Sequence, residues 1–121
     1  MINLIARENP KSPVSEAYRT IRTNIQFAGV DKPMKSIVFT STAQDEGKST
    51  VVANLGIVMA QAGQKVVIMD CDFRNPTQHN LLKLQYQSFL QQLLSIFDLL
   101  SEQEHSVIIG LQLFLPLNNK K

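Results

Sequence analysis

Two short unbroken apolar runs, Ile37 to Thr40 and Val66 to Met69, frame the middle of the chain. Runs of that length without polar alternation predict strands buried on both faces of a parallel sheet. Between them, Ser49 to Ala62 is apolar almost all round, so it predicts a buried helix. Its small residues Ala53, Gly56 and Ala60 permit close packing on the sheet, and Gly63 is placed to stop it in a left-handed cap. Strand, loop, helix and strand make one right-handed crossover unit, with both strands ending at the same edge of the sheet.

A second helix is predicted upstream. Ser12-Pro13 supplies a capping hydroxyl and a proline at the first helical position. Val14, Tyr18, Ile21 and Ile25 recur at helical spacing and are expected to face a core. Glu16, Arg19 and Arg22 fall on another side, where Glu16 and Arg19 are spaced to pair. Read alone, that is a solvated face with an ion pair worth about tenths of a kcal/mol. Downstream, Phe89, Leu90, Leu93, Leu94, Phe97 and Leu100 follow a helix-like spacing, and Val107 to Pro116 reads as a candidate strand.

Composition narrows the class. A chain of 121 residues, 44% of them hydrophobic, suits one globular domain. The net charge of +2 is small and scattered, so no nucleic-acid footprint is expected beyond the Lys120-Lys121 end. One cysteine, Cys71, excludes an internal disulfide and fits a reducing cytoplasm. His79 and His105 stand alone, which leaves a zinc site unsupported. No signal peptide is expected, since Met1 to Pro10 mixes Asn, Arg and Glu into its apolar residues. The longest membrane candidate, Val107 to Leu117, falls short of the roughly 18 apolar residues a span needs.

Chemistry gathers where the elements meet. Ser41-Thr-Ala-Gln-Asp-Glu-Gly-Lys-Ser-Thr50 ends the first strand and opens the helix, as a phosphate-binding loop does. Gly47 lets the backbone approach an anion, Lys48 brings charge to the outer phosphates, and Ser49 offers a hydroxyl to magnesium. Free amides and the positive end of the helix dipole face the same spot. The pattern is imperfect, because Thr42 stands where the first glycine is usual. The second strand runs into Asp70-Cys-Asp72, which brings two carboxylates to the same edge. Residues two apart on an extended chain share a face, so both can serve one magnesium ion, and one can accept a proton from an attacking hydroxyl.

These residues resemble the bacterial tyrosine kinases, P-loop kinases of capsule and exopolysaccharide production. Ser41 to Thr50 is similar to their Walker A loop, and Val67 to Arg74 with Asn75-Pro-Thr77 to their Walker A′ box, continued by Gln78-His79. Glu16-x-x-Arg19-x-x-Arg22 has the spacing with which these kinases assemble into rings. The resemblance covers roughly residues 10 to 85. The partition and division-site ATPases share the loop but carry a signature lysine early in it, and Thr42-Ala43-Gln44 has none.

The resemblance implies a three-layer α/β P-loop NTPase-type fold with a parallel sheet, incomplete here, and transfer of the ATP γ-phosphate to protein tyrosine. It implies Ser41, Gly47, Lys48, Ser49 and Thr50 as nucleotide-binding residues, with Lys48, Asp70 and Asp72 catalytic. Ser49, Asp70 and Asp72 would hold Mg2+, and Glu16, Arg19 and Arg22 would join protomers. It further implies a separate membrane activator, and so a cytoplasmic protein at the inner face of the plasma membrane. The alternatives are a non-catalytic fragment that joins kinase rings and a partition-like P-loop ATPase.

The pattern then departs. Residues 1–87 carry the kinase-like motifs, whereas 88–121 form a divergent tail expected from truncation or a frame-shift. Ile96-Phe97-Asp98 has too short an apolar run for a Walker B strand, and Val107 to Pro116 has no acid. The tyrosine-rich tail of the family is missing, since only Tyr18 and Tyr86 are present. Gln44-Asp45 replaces the usual Pro-Gly, and Asp45 with Glu46 places negative charge near the phosphates. Impaired activity is therefore expected of this chain alone.

Overall fold

The computed structural model describes residues 4–32, 34, 36–41, 43, 46–70, 80 and the backbone of 106–111. Six elements follow in order: α1 (Ile5–Glu8), α2 (Pro13–Ala28), β1 (Ser36–Phe39), α3 (Lys48–Gln61), β2 (Lys65–Asp70) and β3 (Ser106–Leu111). Both motif strands pair parallel to β3, giving the sheet order β1-β3-β2. The two strands of the crossover unit therefore point the same way, as expected, but β3 separates them. The candidate strand near Val107 is present, and it is central among the described strands. The helix-like stretch between Phe89 and Leu100 lies outside the described residues.

Helix α3 forms the core. Val52, Leu55, Val58 and Met59 are fully buried together with Ala6 of α1. Ile37, Phe39, Val66 and Ile68 from the strands and Tyr18 and Ile25 from α2 pack against this cluster. Gly56 lets the helix sit close to β2: a Cβ there would stand 2.9 Å from Ile68 Cδ1. Ala53 is buried too, while Ala60 is exposed and takes no part in that contact. The predicted left-handed stop is present, with Gly63 at φ 84°. Gly63 N–H donates to the Ala60 carbonyl at 3.0 Å and Gln64 N–H to the Met59 carbonyl at 3.2 Å. That pair of bonds satisfies the last carbonyls of α3 in a Schellman turn.

Helix α2 starts as its sequence directs. Ser12 is extended, its Oγ accepts from Ser15 N–H at 3.0 Å, and Pro13 occupies the first turn. Its core face is narrower than the spacing suggested. Tyr18 and Ile25 pack inward, but Val14 is 54% and Ile21 41% exposed. A stripe of four apolar residues over three turns spans more of the helix surface than the contact with α3 covers. The prediction that β1 is buried on both faces also fails. Ile37 and Phe39 pack on α3, whereas Val38 is 64% exposed on the opposite side.

Candidate nucleotide site

The sheet register sets the floor of the site. Phe39 of β1 and Asp70 of β2 are both aligned with Leu111 of β3, so the three strands end level. Two strand spacings separate Phe39 from Asp70, about 10 Å. The loop that follows Phe39 and the carboxylate of Asp70 thus share the carboxyl edge, where ligands of open parallel sheets bind.

The loop is built for an anion. Gly47 takes a left-handed conformation with φ 81°, which glycine adopts without strain, and hands the chain directly to Lys48 at the start of α3. The helix N-terminus has no side-chain cap and no acidic residue in its first turn. Its amide groups and the positive end of its dipole therefore face the loop without a protein anion of their own helix. Lys48 Nζ reaches back across the loop and donates to Ser41 Oγ at 3.0 Å. Ser41 Oγ in turn donates to the Ala43 carbonyl at 2.9 Å, and Ala43 N–H donates to Glu46 Oε2 at 3.2 Å. The Glu46 carboxylate is thus engaged with its own loop. Ser49 and Thr50 are half-buried in the first turn of α3.

Asp70, only 8% exposed, closes β2 at the same edge. A serine hydroxyl and a carboxylate are the hard oxygen donors that magnesium takes, and Ser49 with Asp70 fits that ion. Asp72, the second predicted carboxylate, lies outside the described residues, as do Cys71, His79 and Tyr86. Strand β3 ends in register with Asp70 at Leu111, so it brings no acid to that position.

Five predicted nucleotide residues and Asp70 therefore come together, and the arginine motif does not join them. Helix α2 packs on α3, and Arg22 meets it at Val58, in the half of α3 remote from Lys48. Arg19 Nη1 forms the expected pair with Glu16 Oε2 at 2.9 Å, and its other Nη donates to the Pro10 carbonyl. Arg22 turns inward, where Nη1 donates to the Val58 carbonyl of α3 at 2.9 Å. Burial also raises the pKa of the Tyr18 hydroxyl above its ordinary value, because the anion is costly in the half-apolar α2–α3 contact.

Three polar residues escaped the sequence reading. Asn54 and Ser15 are fully buried, and Gln61 binds the backbone of α1. The one available signal was Asn54 itself, an amide standing inside an otherwise apolar helix.

Residues 37–115 match the family described as the CobQ/CobB/MinD/ParA nucleotide binding domain, CbiA. The chain belongs to that family. Relatives within reach of its sequence are bacterial tyrosine kinases, as the motifs indicated. Tyrosine-protein kinase YwqD of Bacillus subtilis (strain 168) is 55% identical over 83 residues, which cover 69% of this chain and 35% of that protein. Putative tyrosine-protein kinase CapB of Staphylococcus aureus is 42% identical over 91 residues, covering 75% and 40%. The chain thus spans 35 to 40% of the length of these two relatives. Among solved structures, the chimerical protein CapA2B2 superposes with a TM-score of 0.72 at 32% identity, over 96% of this chain and 67% of that one. The kinase domain of Escherichia coli tyrosine kinase ETK gives 0.72 at 22% identity over 92% and 59%, and shows the shared fold. The α/β P-loop class follows from these matches together with the parallel sheet.

Proposed function

We propose that this chain is the phosphate-binding half of an ATP-dependent protein-tyrosine kinase of a capsule or exopolysaccharide system. The observation that carries the reading is the carboxyl edge itself: Phe39, where the chain leaves β1 for Gly47, Lys48 and Ser49 at the head of α3, is level with Asp70 at the end of β2. The names of the relatives supply the class of reaction.

Gly47 and the first amides of α3 would cradle the β- and γ-phosphates, and Thr50 would extend that cradle. Lys48 would exchange its bond to Ser41 for the outer phosphates, where its charge follows the charge that develops in phosphoryl transfer. Ser49 and Asp70, with Asp72, would hold Mg2+, which neutralises phosphate charge when bound. The carboxylates would also draw the proton from the attacking tyrosine hydroxyl. Such catalysis depends mainly on positioning, so a missing metal-organising acid is severe. Leu111 in register with Asp70 supports weak transfer by this chain alone.

In this reading protomers assemble through the exposed side of α2, with Glu16 and Arg19 at the contact, and Arg22 supports it from within. A separate membrane activator would bring the chain to the inner face of the plasma membrane. Among the described residues no helix is long and apolar enough to cross a membrane. The test is incubation of the purified chain with Mg2+ and radiolabelled ATP, alongside Lys48→Met. ATP binding weakened in Lys48→Met, with little phosphotyrosine in either protein, is expected. Steady ATP hydrolysis without any phosphotyrosine, even with an activator added, would favour the partition-type ATPase and refute the kinase. Robust autophosphorylation by the chain alone would refute the impairment.

A further inference from the structure

Ser41, Ala43, Glu46 and Lys48 are joined in one chain of hydrogen bonds. Lys48 Nζ donates to Ser41 Oγ at 3.0 Å, Ser41 Oγ donates to the Ala43 carbonyl at 2.9 Å, and Ala43 N–H donates to Glu46 Oε2 at 3.2 Å. The chemistry of the groups fixes each direction. An ammonium only donates, so the Ser41 hydroxyl accepts from it and sends its own proton to Ala43. A carboxylate only accepts, so Glu46 takes the Ala43 amide. Backbone amides and a lysine ammonium are what a phosphate loop offers an anion, and here one of each is turned onto oxygens of the loop itself. The two bonds differ in weight. Ser41 and Lys48 are half-buried, whereas Ala43 and Glu46 are exposed, so water competes less for the lysine bond.

Lys48 is the group that the outer phosphates require. Ser41 is braced by its own bond to Ala43, so it does not follow the ammonium when Lys48 moves to a phosphate. A bond held in the free chain and surrendered in the complex lowers affinity, because the binding-competent state is then only a fraction of the whole. We propose that Ser41 is a positioning residue that parks Lys48 on the empty loop, with Glu46 bracing it through Ala43, so that the loop carries its own competitor for phosphate. This rests on the nucleotide reading above. The family resemblance gives Ser41 to nucleotide, whereas the geometry gives it to the lysine. A hydrogen bond to a charged group favours the parked state by roughly ten- to hundredfold. The rotamer freedom of an unparked lysine, lost again on binding, offsets part of that.

The test titrates the whole chain with Mg-ATP beside Ser41→Ala, Ser41→Thr, Lys48→Met and the double variant Ser41→Ala with Lys48→Met. Ser41→Ala is expected to bind about threefold or more tighter than the parent. Ser41→Thr keeps the hydroxyl and is expected to bind as the parent does. Once Lys48 is gone there is nothing to park, so adding Ser41→Ala to Lys48→Met is expected to change nothing. Glu46→Gln and Glu46→Ala remove the same charge, but only glutamine leaves an oxygen for the Ala43 amide. Tighter binding in Glu46→Ala than in Glu46→Gln is therefore the signature of the brace, and equal binding overturns the part given to Glu46. Weaker or equal binding in Ser41→Ala, with the parent binding normally, overturns the parking while the nucleotide site stands. A gain from Ser41→Ala that persists in the Lys48→Met background overturns it equally, since the effect then does not pass through the lysine. Absence of binding by the parent and by Ser41→Ala alike overturns the nucleotide reading and the parking together.

Discussion

Replacing Gly56 by alanine sets two effects of similar size against each other. In an ordinary helix interior the change stabilises by about 0.8–1.0 kcal/mol. Here the new Cβ would stand 2.9 Å from Ile68 Cδ1, 3.5 Å from its Cγ1 and 3.7 Å from Val66 Cγ1. The first distance is well inside the roughly 3.5–4.0 Å at which carbon atoms pack. The obstructing atom is the free end of a side chain, so Ile68 can turn from its rotamer at about 0.5–1.5 kcal/mol. Gly56→Ala alone should therefore stay within about 0.5 kcal/mol of the parent. Ile68→Val removes the obstructing methyl and by itself costs about 0.5–1.5 kcal/mol. In the double variant the clash is gone and the helix gain is recovered, so it should exceed the sum of the single changes by about 1 kcal/mol. Urea unfolding of the four proteins, followed by circular dichroism, reads the cycle. Additivity within about 0.3–0.5 kcal/mol would mean that α3 and β2 do not touch at this point. The helix that carries Lys48 would then not be seated on the sheet as described.

Other perturbations separate the site from the scaffold. Gly47→Ala meets no atom within 4 Å, so its cost is that of the left-handed backbone alone. That cost, about 1–2 kcal/mol, should appear as roughly 5- to 30-fold weaker ATP binding in a titration. Gly63→Ala has the same backbone strain at the other end of α3, and should lower the unfolding midpoint while leaving ATP affinity intact. Ser12→Ala removes the cap on α2 and should cost about 1 kcal/mol in urea unfolding. The Tyr18 hydroxyl ionises later in the folded than in the unfolded chain, so its contribution is complete below the ordinary tyrosine pKa of 10.0. It is lost as pH rises from there through the higher folded value, and Tyr18→Phe should flatten the alkaline fall in stability.

Local chemistry was legible and long-range chemistry was not. The cap at Ser12 and the stop at Gly63 each follow from residues a few positions apart, and the structure has both. The meeting of the Lys48 loop with Asp70 was legible because a crossover unit leaves two parallel strands one common edge. Val38, Val14 and Ile21 misled because an apolar pattern says which residues can be buried, and the neighbouring layer decides which are. The Arg22 bond to the Val58 carbonyl spans 36 positions and the Ala6 bond to Asn54 spans 48. No spacing rule connects residues that far apart. Strand β3 was read as a strand, but its place between β1 and β2 is a matter of topology that its own residues do not encode.

The central claim is that Lys48, held by Ser41 at the head of α3, belongs to a nucleotide site. Calorimetric titration of the chain and of Lys48→Met with ATP, each with and without magnesium, tests it most directly. A charge-assisted bond is worth about 1.5–3 kcal/mol, so the account predicts magnesium-dependent binding that weakens roughly ten- to hundredfold in Lys48→Met. Equal affinity in both proteins, or no heat of binding in either, would contradict it.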